Sequence, residues 1–519
     1  MFIQFFPGMK KIVTLAALTC FLSMTLHAQD MFDAMKANRA DIKGTARYTS
    51  MGGAFVSLGG DASALKDNPA GVGVFRSSEV SFSLNYDYIR THAQWNQYGN
   101  IAEIHPFGMN QADIVLNLSS SEKQKGIIAH NFAFGYNRIT NFRRSVFARS
   151  TTGQGASLTD NMSAYSNGNN QPLSPDAFLE ENDTYNNTAV GWLSVLGYDA
   201  GLMAYDSASI TAPWYSTLEI GEQVLPSQKL IENGYIDQYN FAWGCNINNR
   251  FYVGVGVNLL SMEYRLSSIY AESFMGSRGG GFTLDSYVHT SGVGVNANVG
   301  IIARPVNFLR LGASIQTPTA WTMNDRSHGT LTAAKEYATP DWLQDYQLRT
   351  PFKVNAGGAI VLGKSGLVSV EYEYNNTRTT RLAGADGDAT GFAVINQDAG
   401  DMFKDVHRLK AGTEWWVMSN LALRAGYAYQ TALSRTGACR YVMTNATRTD
   451  MQYAIEGDTH YASAGLGYRT NTFFIDVAYQ YKWMNEDLYC FENLSAGALS
   501  PIDVRTSRHS VVMSVGFRF

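Results

Sequence analysis

The chain has 519 residues and a formal net charge of −4, so the charge balance gives no electrostatic case for a nucleic-acid partner. Only 16 % of its residues are charged, while it carries 48 Gly and 29 Tyr, a balance that suits strands, aromatic girdles and turns better than a helical soluble enzyme. A mean hydropathy of −0.17 looks soluble. It does not exclude a membrane barrel, because lipid-facing and lumen-facing residues alternate and cancel in any average.

The N-terminus reads as a cleaved signal peptide, residues 1–28. Lys10 and Lys11 form a basic region, Ile12 to Leu26 an apolar run, and Leu26-His27-Ala28 precedes a cut before Gln29. The run is shorter than the ~18–20 residues that a spanning helix needs. Cys20 lies in this run, but Ala17-Leu18-Thr19-Cys20 is a poor lipidation site. Export leaves Cys245, Cys439 and Cys490. The last two fall in late polar segments on one side of the membrane, where they either pair in an oxidising compartment or stay free with Cys245. No Cys-x-x-Cys spacing points to a metal, and no cofactor is expected.

Residues 29–78 differ from the rest, with many small residues and little alternation. From residue 79 to 519 long alternating segments take over. Val253, Val255, Val257 and Leu259 alternate with Gly254, Gly256 and Asn258, and Leu309, Leu311, Ala313 and Ile315 alternate with Arg310, Gly312 and Ser314. Phe473, Ile475, Val477, Tyr479, Tyr481 and Trp483 repeat the pattern, and His509, Val511, Met513, Val515, Phe517 and Phe519 close it. Period two places each set on one face of a strand.

Short turns read near 119–126, 246–250, 304–307, 363–366, 418–420 and 469–471. Long loops read near 95–111, 151–234, 271–287, 317–347, 379–405, 434–458 and 486–505. Six turns and seven loops predict 14 strands, with short turns on one side of a membrane and long loops on the other. The loop at 151–234 contains Phe178, Leu179, Trp192, Leu193, Val195 and Leu196, partly at helical spacing. These residues form either a ligand-collecting groove or the loop's own core. A soluble β-sandwich or propeller is the competing architecture. It leaves unexplained why nearly every strand has an apolar face ending in Tyr or Trp.

The most specific string runs Gly44-Thr45-Ala46-Arg47, Met51-Gly52-Gly53-Ala54, Gly60-Asp61-Ala62-Ser63-Ala64 and Asn68-Pro69-Ala70-Gly71. It resembles the N-terminal hatch of the FadL/TodX family of outer-membrane channels for hydrophobic molecules. Gly135 to Phe142 and Leu348 to Gly357 resemble the version of that family found in Bacteroidetes-like bacteria. The resemblance implies an all-β fold, a 14-stranded antiparallel transmembrane barrel with an N-terminal plug in the lumen. Gly52, Gly53, Asp61, Asn68, Pro69, Ala70 and Gly71 would then be plug or gate residues. It further implies a monomer in outer-membrane lipid that passes a hydrophobic small molecule, such as a long-chain fatty acid, inward by diffusion. A sidewall exit would lie at a kinked third strand, about Ile127 to Arg149, with Asn137 and Asn141 bounding the kink.

Inward positions carry both signs of charge, from Arg310, Lys353, Glu371 and Glu373 to Arg408, Lys410, Glu414, Arg424, Asp476, Lys482 and Arg518. Mixed signs argue against an ion-selective ring. These groups either anchor the plug, or some of them (Arg310, Lys353, Arg408 or Arg424) receive a ligand carboxylate, which must be paired when buried. Enzyme readings find little: the histidines are scattered, with no His-Glu-x-x-His or Gly-x-Ser-x-Gly, and Gly363-Lys364-Ser365 lacks the glycine spacing of a phosphate loop. Two further functions stay open. One is a partner-binding protein of the PorV type in protein secretion, whose long loops bind protein. The other is a hemin uptake receptor, which the scattered histidines support weakly.

Overall fold

The structure is a computed structural model that describes residues 30–119, 125–168, 171–277, 279–492, 494 and 499–519. The expected signal peptide lies outside the described residues, as does most of the first short turn.

Fourteen antiparallel strands close into a barrel. They are β1 (Glu79–Trp95), β2 (Tyr98–Ile104 and Phe107–Ser119), β3 (Ile127–Asn141 and Arg144–Arg149), β4 (Val224–Ile247), β5 (Phe251–Phe274), β6 (Gly281–Val306) and β7 (Leu309–Gln316 and Ala320–Thr332). There follow β8 (Trp342–Arg349 and Lys353–Leu362), β9 (Gly366–Asn375 and Arg381–Gly384), β10 (Val406–Trp416), β11 (Leu421–Gln430), β12 (Tyr453–Arg469), β13 (Phe473–Tyr489) and β14 (Ile502–Arg518). Pairing of β1 with β14, from Glu79 with Arg518 to Gln94 with Asp503, closes the cylinder. Proline explains three of the interruptions, because it has no N–H to give the ladder: Pro106 in β2, Pro318 in β7 and Pro351 in β8. The break in β3, at Phe142-Arg143, has no proline.

Alternation sets what each face meets. Phe82, Leu116, Phe132, Val257, Val299, Val370, Leu409, Val477 and Met513 are exposed on the outside. Asp87, Asn131, Asn298, Glu371, Lys410, Arg424, Asp476 and Ser514 are buried inside. A continuous apolar exterior over a polar interior is the pattern of a lipid-spanning barrel.

Several expected loops prove to be strand. β4 begins at Val224, inside the loop expected to run to 234. Residues 275–280 alone connect β5 to β6, where 271–287 was expected. The loop expected at 317–347 is largely the upper parts of β7 and β8. Beyond the lipid neither face needs to be apolar, so stretches such as Asn324-Asp325-Arg326-Ser327-His328 stay paired without an alternating signature. The remaining long loop folds into α3 (Leu158–Asn167) and α4 (Trp192–Asp199) plus a short hairpin at 203–216. Phe178 packs edge-on against Trp214 with ring centroids 4.7 Å apart, and Leu193, Val195 and Leu196 are buried with them. Their contacts make them the loop's own core. Cys245, Cys439 and Cys490 are all free.

Candidate functional site: the lumen and the β2–β3 seam

Residues 30–75 thread through the inside of the barrel. Local capping explains their short turns. Asp30 and Asp33 form a capping box at the start of α1 (Met31–Ala37), and Thr45 caps α2 (Ala46–Ser50). Asp61 and Asn68 cap the two 3-10 turns Ala62–Lys66 and Pro69–Val74. The wall supplies partners for the remaining backbone groups. Ser514 Oγ accepts from Ala46 N–H at 2.7 Å, and Glu371 accepts from Phe55 and Val56 N–H at 2.8 Å each. Asn298 donates to the Leu65 carbonyl at 3.0 Å and Asn131 to that of Val72 at 2.6 Å.

Glycine makes the closest approach possible. Gly52 has φ +62° and sits on the β11 backbone. A Cβ at Gly426 of β11 would lie 2.2 Å from Gly52 N, so neither position tolerates a side chain without a backbone shift.

The residues singled out from the sequence distribute over this surface. Gly53 follows Gly52 with φ +75°. Asp61 also accepts from Thr45 Oγ1 at 2.8 Å, and Asn68 donates to Val56 O at 2.6 Å. Pro69 and Ala70 lie against Gly254 of β5, and Gly71 O accepts from Gly60 N–H. The four candidate cations are spread around the wall. Arg310 donates to Leu58 O at 3.0 Å. Arg408 donates to Ala40 O at 2.7 Å and pairs with Glu373. Arg424 bridges Glu414 at 2.6 Å and Asp476 at 2.7 Å. Lys353 borders a cavity of about 60 Å³ together with Asp67 and Glu373.

The seam between β2 and β3 concentrates more. Those strands pair only from Gln111 with Asn137 to Ser119 with Ala129. Above that level β2 pairs with β1 and β3 with β4, and among the described residues no backbone ladder joins β2 to β3 there. The register of β3 against β4 slips between Arg138 and Thr140, and Asn137 bonds Asn240 at 3.1 Å. The freed edge of β3 is met from the inside. Asp41 N–H donates to Ile139 O at 2.9 Å, and Arg508 donates to Asn141 O at 3.1 Å.

The Asp41 side chain is the hub of this contact. It accepts from Lys482 at 2.5 Å, Arg508 at 2.9 Å, and Thr140 and Tyr461 at 3.1 Å each. Burial raises its pKa, but Lys482 and Arg508 outweigh burial and hold the carboxyl well below its ordinary range. A cavity of about 80 Å³ opens beside it, lined by Ile89, Phe142, Leu433 and Met484 together with Arg39, Arg143 and Arg144.

A second set of charges clasps α1 from the long-loop side. Arg448 pairs with Asp33 at 2.9 Å and with Asp450 at 2.6 Å, and Arg440 pairs with Asp30. The Asp33 carboxyl is also lowered, Arg448 and Lys36 overcoming the effect of burial. The sequence reading missed Asp41, Arg508, Arg440 and Arg448. One usable signal exists in the register: Lys482 and Arg508 are direct cross-strand partners, so two inward cations call for a carboxylate between them.

The class defined so far is a 14-stranded membrane barrel whose inner wall bonds residues of the same chain's N-terminal segment. No protein-family model matches the sequence, and no curated protein does. Solved structures do: the toluene transporter TodX of Pseudomonas putida superposes with a TM-score of 0.52 at 13 % identity, covering 92 % of this chain and 99 % of that one. A FadL homologue of Pseudomonas aeruginosa gives 0.51 at 11 %, with the same coverage. The chain therefore has the fold of the FadL/TodX channels.

Proposed function

We propose that this protein is an outer-membrane channel for passive uptake of hydrophobic small molecules, with residues 29–78 acting as the plug. The seam carries this reading. There, among the described residues, no backbone ladder joins β2 to β3 above Gln111–Asn137, and the N-terminal segment, not a neighbouring strand, bonds the free edge of β3. One similar structure is named as a toluene transporter, and the same kind of activity on this fold needs a route past the plug. Release of Asp41 from Lys482, Arg508 and Thr140 would join the cavity to the lipid at Phe142-Arg143, giving a lateral exit. The cavities beside the segment are about 60–80 Å³. Ligand pockets are usually ~300–1,000 Å³, so on this reading the segment moves to widen them during transport. Small amphiphiles with a fatty-acid-like tail suit a lining that sets Ile89, Phe142, Leu433 and Met484 beside charged side chains.

The filled lumen also favours a second reading, a PorV-type protein whose loops bind a partner. Mass spectrometry of molecules copurifying with the detergent-extracted protein separates the two, with a variant lacking residues 30–77 as control. Enrichment of a fatty acid or other amphiphile in the intact protein supports the channel. Enrichment of a protein, with no small molecule above control, supports the secretion reading.

A further inference from the structure

The outer surface repeats one small cassette four times. Each consists of Tyr-x-Tyr on one strand and a histidine on its neighbour or, for His105, in the break of that neighbour. The first tyrosine hydroxyl lies on histidine Nδ1: Tyr86 with His105 at 2.9 Å, Tyr372 with His407 at 2.6 Å, Tyr427 with His460 at 2.8 Å and Tyr479 with His509 at 2.6 Å. The second tyrosine ring packs against the same imidazole, with centroids 5.0, 5.6, 5.2 and 4.8 Å apart in that order. In three cassettes this second hydroxyl donates to a carboxylate two residues before the histidine: Glu103 at 2.6 Å, Asp405 at 3.0 Å and Asp458 at 2.5 Å.

The cassettes are not spread evenly. They occupy the strand pairs β1–β2, β9–β10, β11–β12 and β13–β14, a contiguous arc of the closed wall. Neighbouring strands are ~4.8 Å apart, so the histidines recur roughly every 10 Å. Each lies at the upper edge of the apolar exterior; His509, for instance, directly precedes the outward Val511 and Met513.

The hydrogen bonds set the chemistry. A phenol is the better donor and an imidazole nitrogen the better acceptor, so the tyrosine donates to Nδ1 and fixes the proton on Nε2. Among the described residues no protein group bonds Nε2 in any of the four. The arc thus presents a row of Nε2–H donors at the level where lipid chains meet headgroups. A carboxylate beside three of them disfavours an anionic phosphate and favours an uncharged acceptor. We propose that this arc is a lipid-recognition surface whose Nε2–H donors bind the acyl-ester carbonyls of surrounding lipid, holding the β9–β14 and β1–β2 wall at one depth in the membrane.

The test uses the full mature chain folded into vesicles of di-ester phosphatidylcholine or of the di-ether lipid with the same chains and headgroup. Lipid retained after detergent extraction is then counted by native mass spectrometry. One hydrogen bond per lipid predicts roughly three- to tenfold tighter retention of the ester lipid. H105F/H407F/H460F/H509F should remove that preference. Should the fourfold variant not fold, H407F/H460F should weaken it while heat-modifiable migration reports an intact barrel. Equal retention of ester and ether lipid by the unaltered protein overturns the proposal. So does an undiminished preference in a folded histidine variant.

Discussion

Replacing Asp41 with alanine tests the latch at its centre. The substitution leaves the backbone bond from residue 41 to Ile139 O in place and removes only the carboxylate. Lys482 and Arg508, both turned into the lumen, then lose the anion between them. Removing one member of a buried ion pair typically costs about 3–5 kcal/mol. Because Lys43 still pairs with Asp87 at 3.5 Å further along the segment, that cost falls on local opening rather than on the whole barrel. At about 1.4 kcal/mol per tenfold, the population with the seam uncovered rises roughly one hundred- to four thousand-fold. Amide hydrogen exchange of residues 38–50 in nanodiscs should accelerate by that factor, and flux of a hydrophobic probe into liposomes should rise with it. Unchanged exchange in a variant that still migrates as a folded barrel would refute the latch. D41E, which keeps the charge, should stay near the unaltered protein.

The same carboxylate gives a pH dependence of definite sign. Its folded pKa is depressed well below the ordinary value of 3.8, so its contribution is complete above about pH 4 and is lost as pH falls further. Exchange of residues 38–50 should therefore be flat from neutral pH to about pH 4, apart from intrinsic rates, and rise below it; a change confined to pH 6–8 would count against this assignment. R448A leaves Asp33 and Asp450 without their main partner and should free α1, by about 3–5 kcal/mol locally. External protease should then cut near residues 30–37 faster than in the unaltered protein; equal rates would show that Arg440 alone suffices. Deleting residues 30–77 should raise nonspecific conductance in planar bilayers, and an unchanged conductance would argue against a plug.

The barrel was legible in the sequence wherever lipid imposes alternation. Val253 to Leu259 and Phe473 to Trp483 face bilayer on one side and lumen on the other, so period two survives in their composition. Above the bilayer that pressure ends, so the upper parts of β4, β7 and β8, and the upper ends of β5 and β6, read as loop from the sequence. The inward charges were visible individually, but their pairing was not. Arg408 and Arg424 are committed to Glu373, Glu414 and Asp476, contacts between neighbouring or more distant strands that no local pattern reveals. Asp41 sits among small residues with no periodicity, and its importance comes from β12, β13 and β14, more than four hundred residues later in the chain.

That separation bears on how the molecule is made. The N-terminal segment bonds to both strands that meet at the closing edge, through Lys43 with Asp87 on β1 and through Ala46 N–H and Asp41 with Ser514 and Arg508 on β14. A cylinder zipped shut first would have to admit some forty-five residues end-on and then bury their polar groups one by one. A sheet that curls around a segment already lying on its inner face would form the same contacts without that step. The final β1–β14 zipper would then close over that segment, with β14 meeting Asp41 and Ala46 through Arg508 and Ser514.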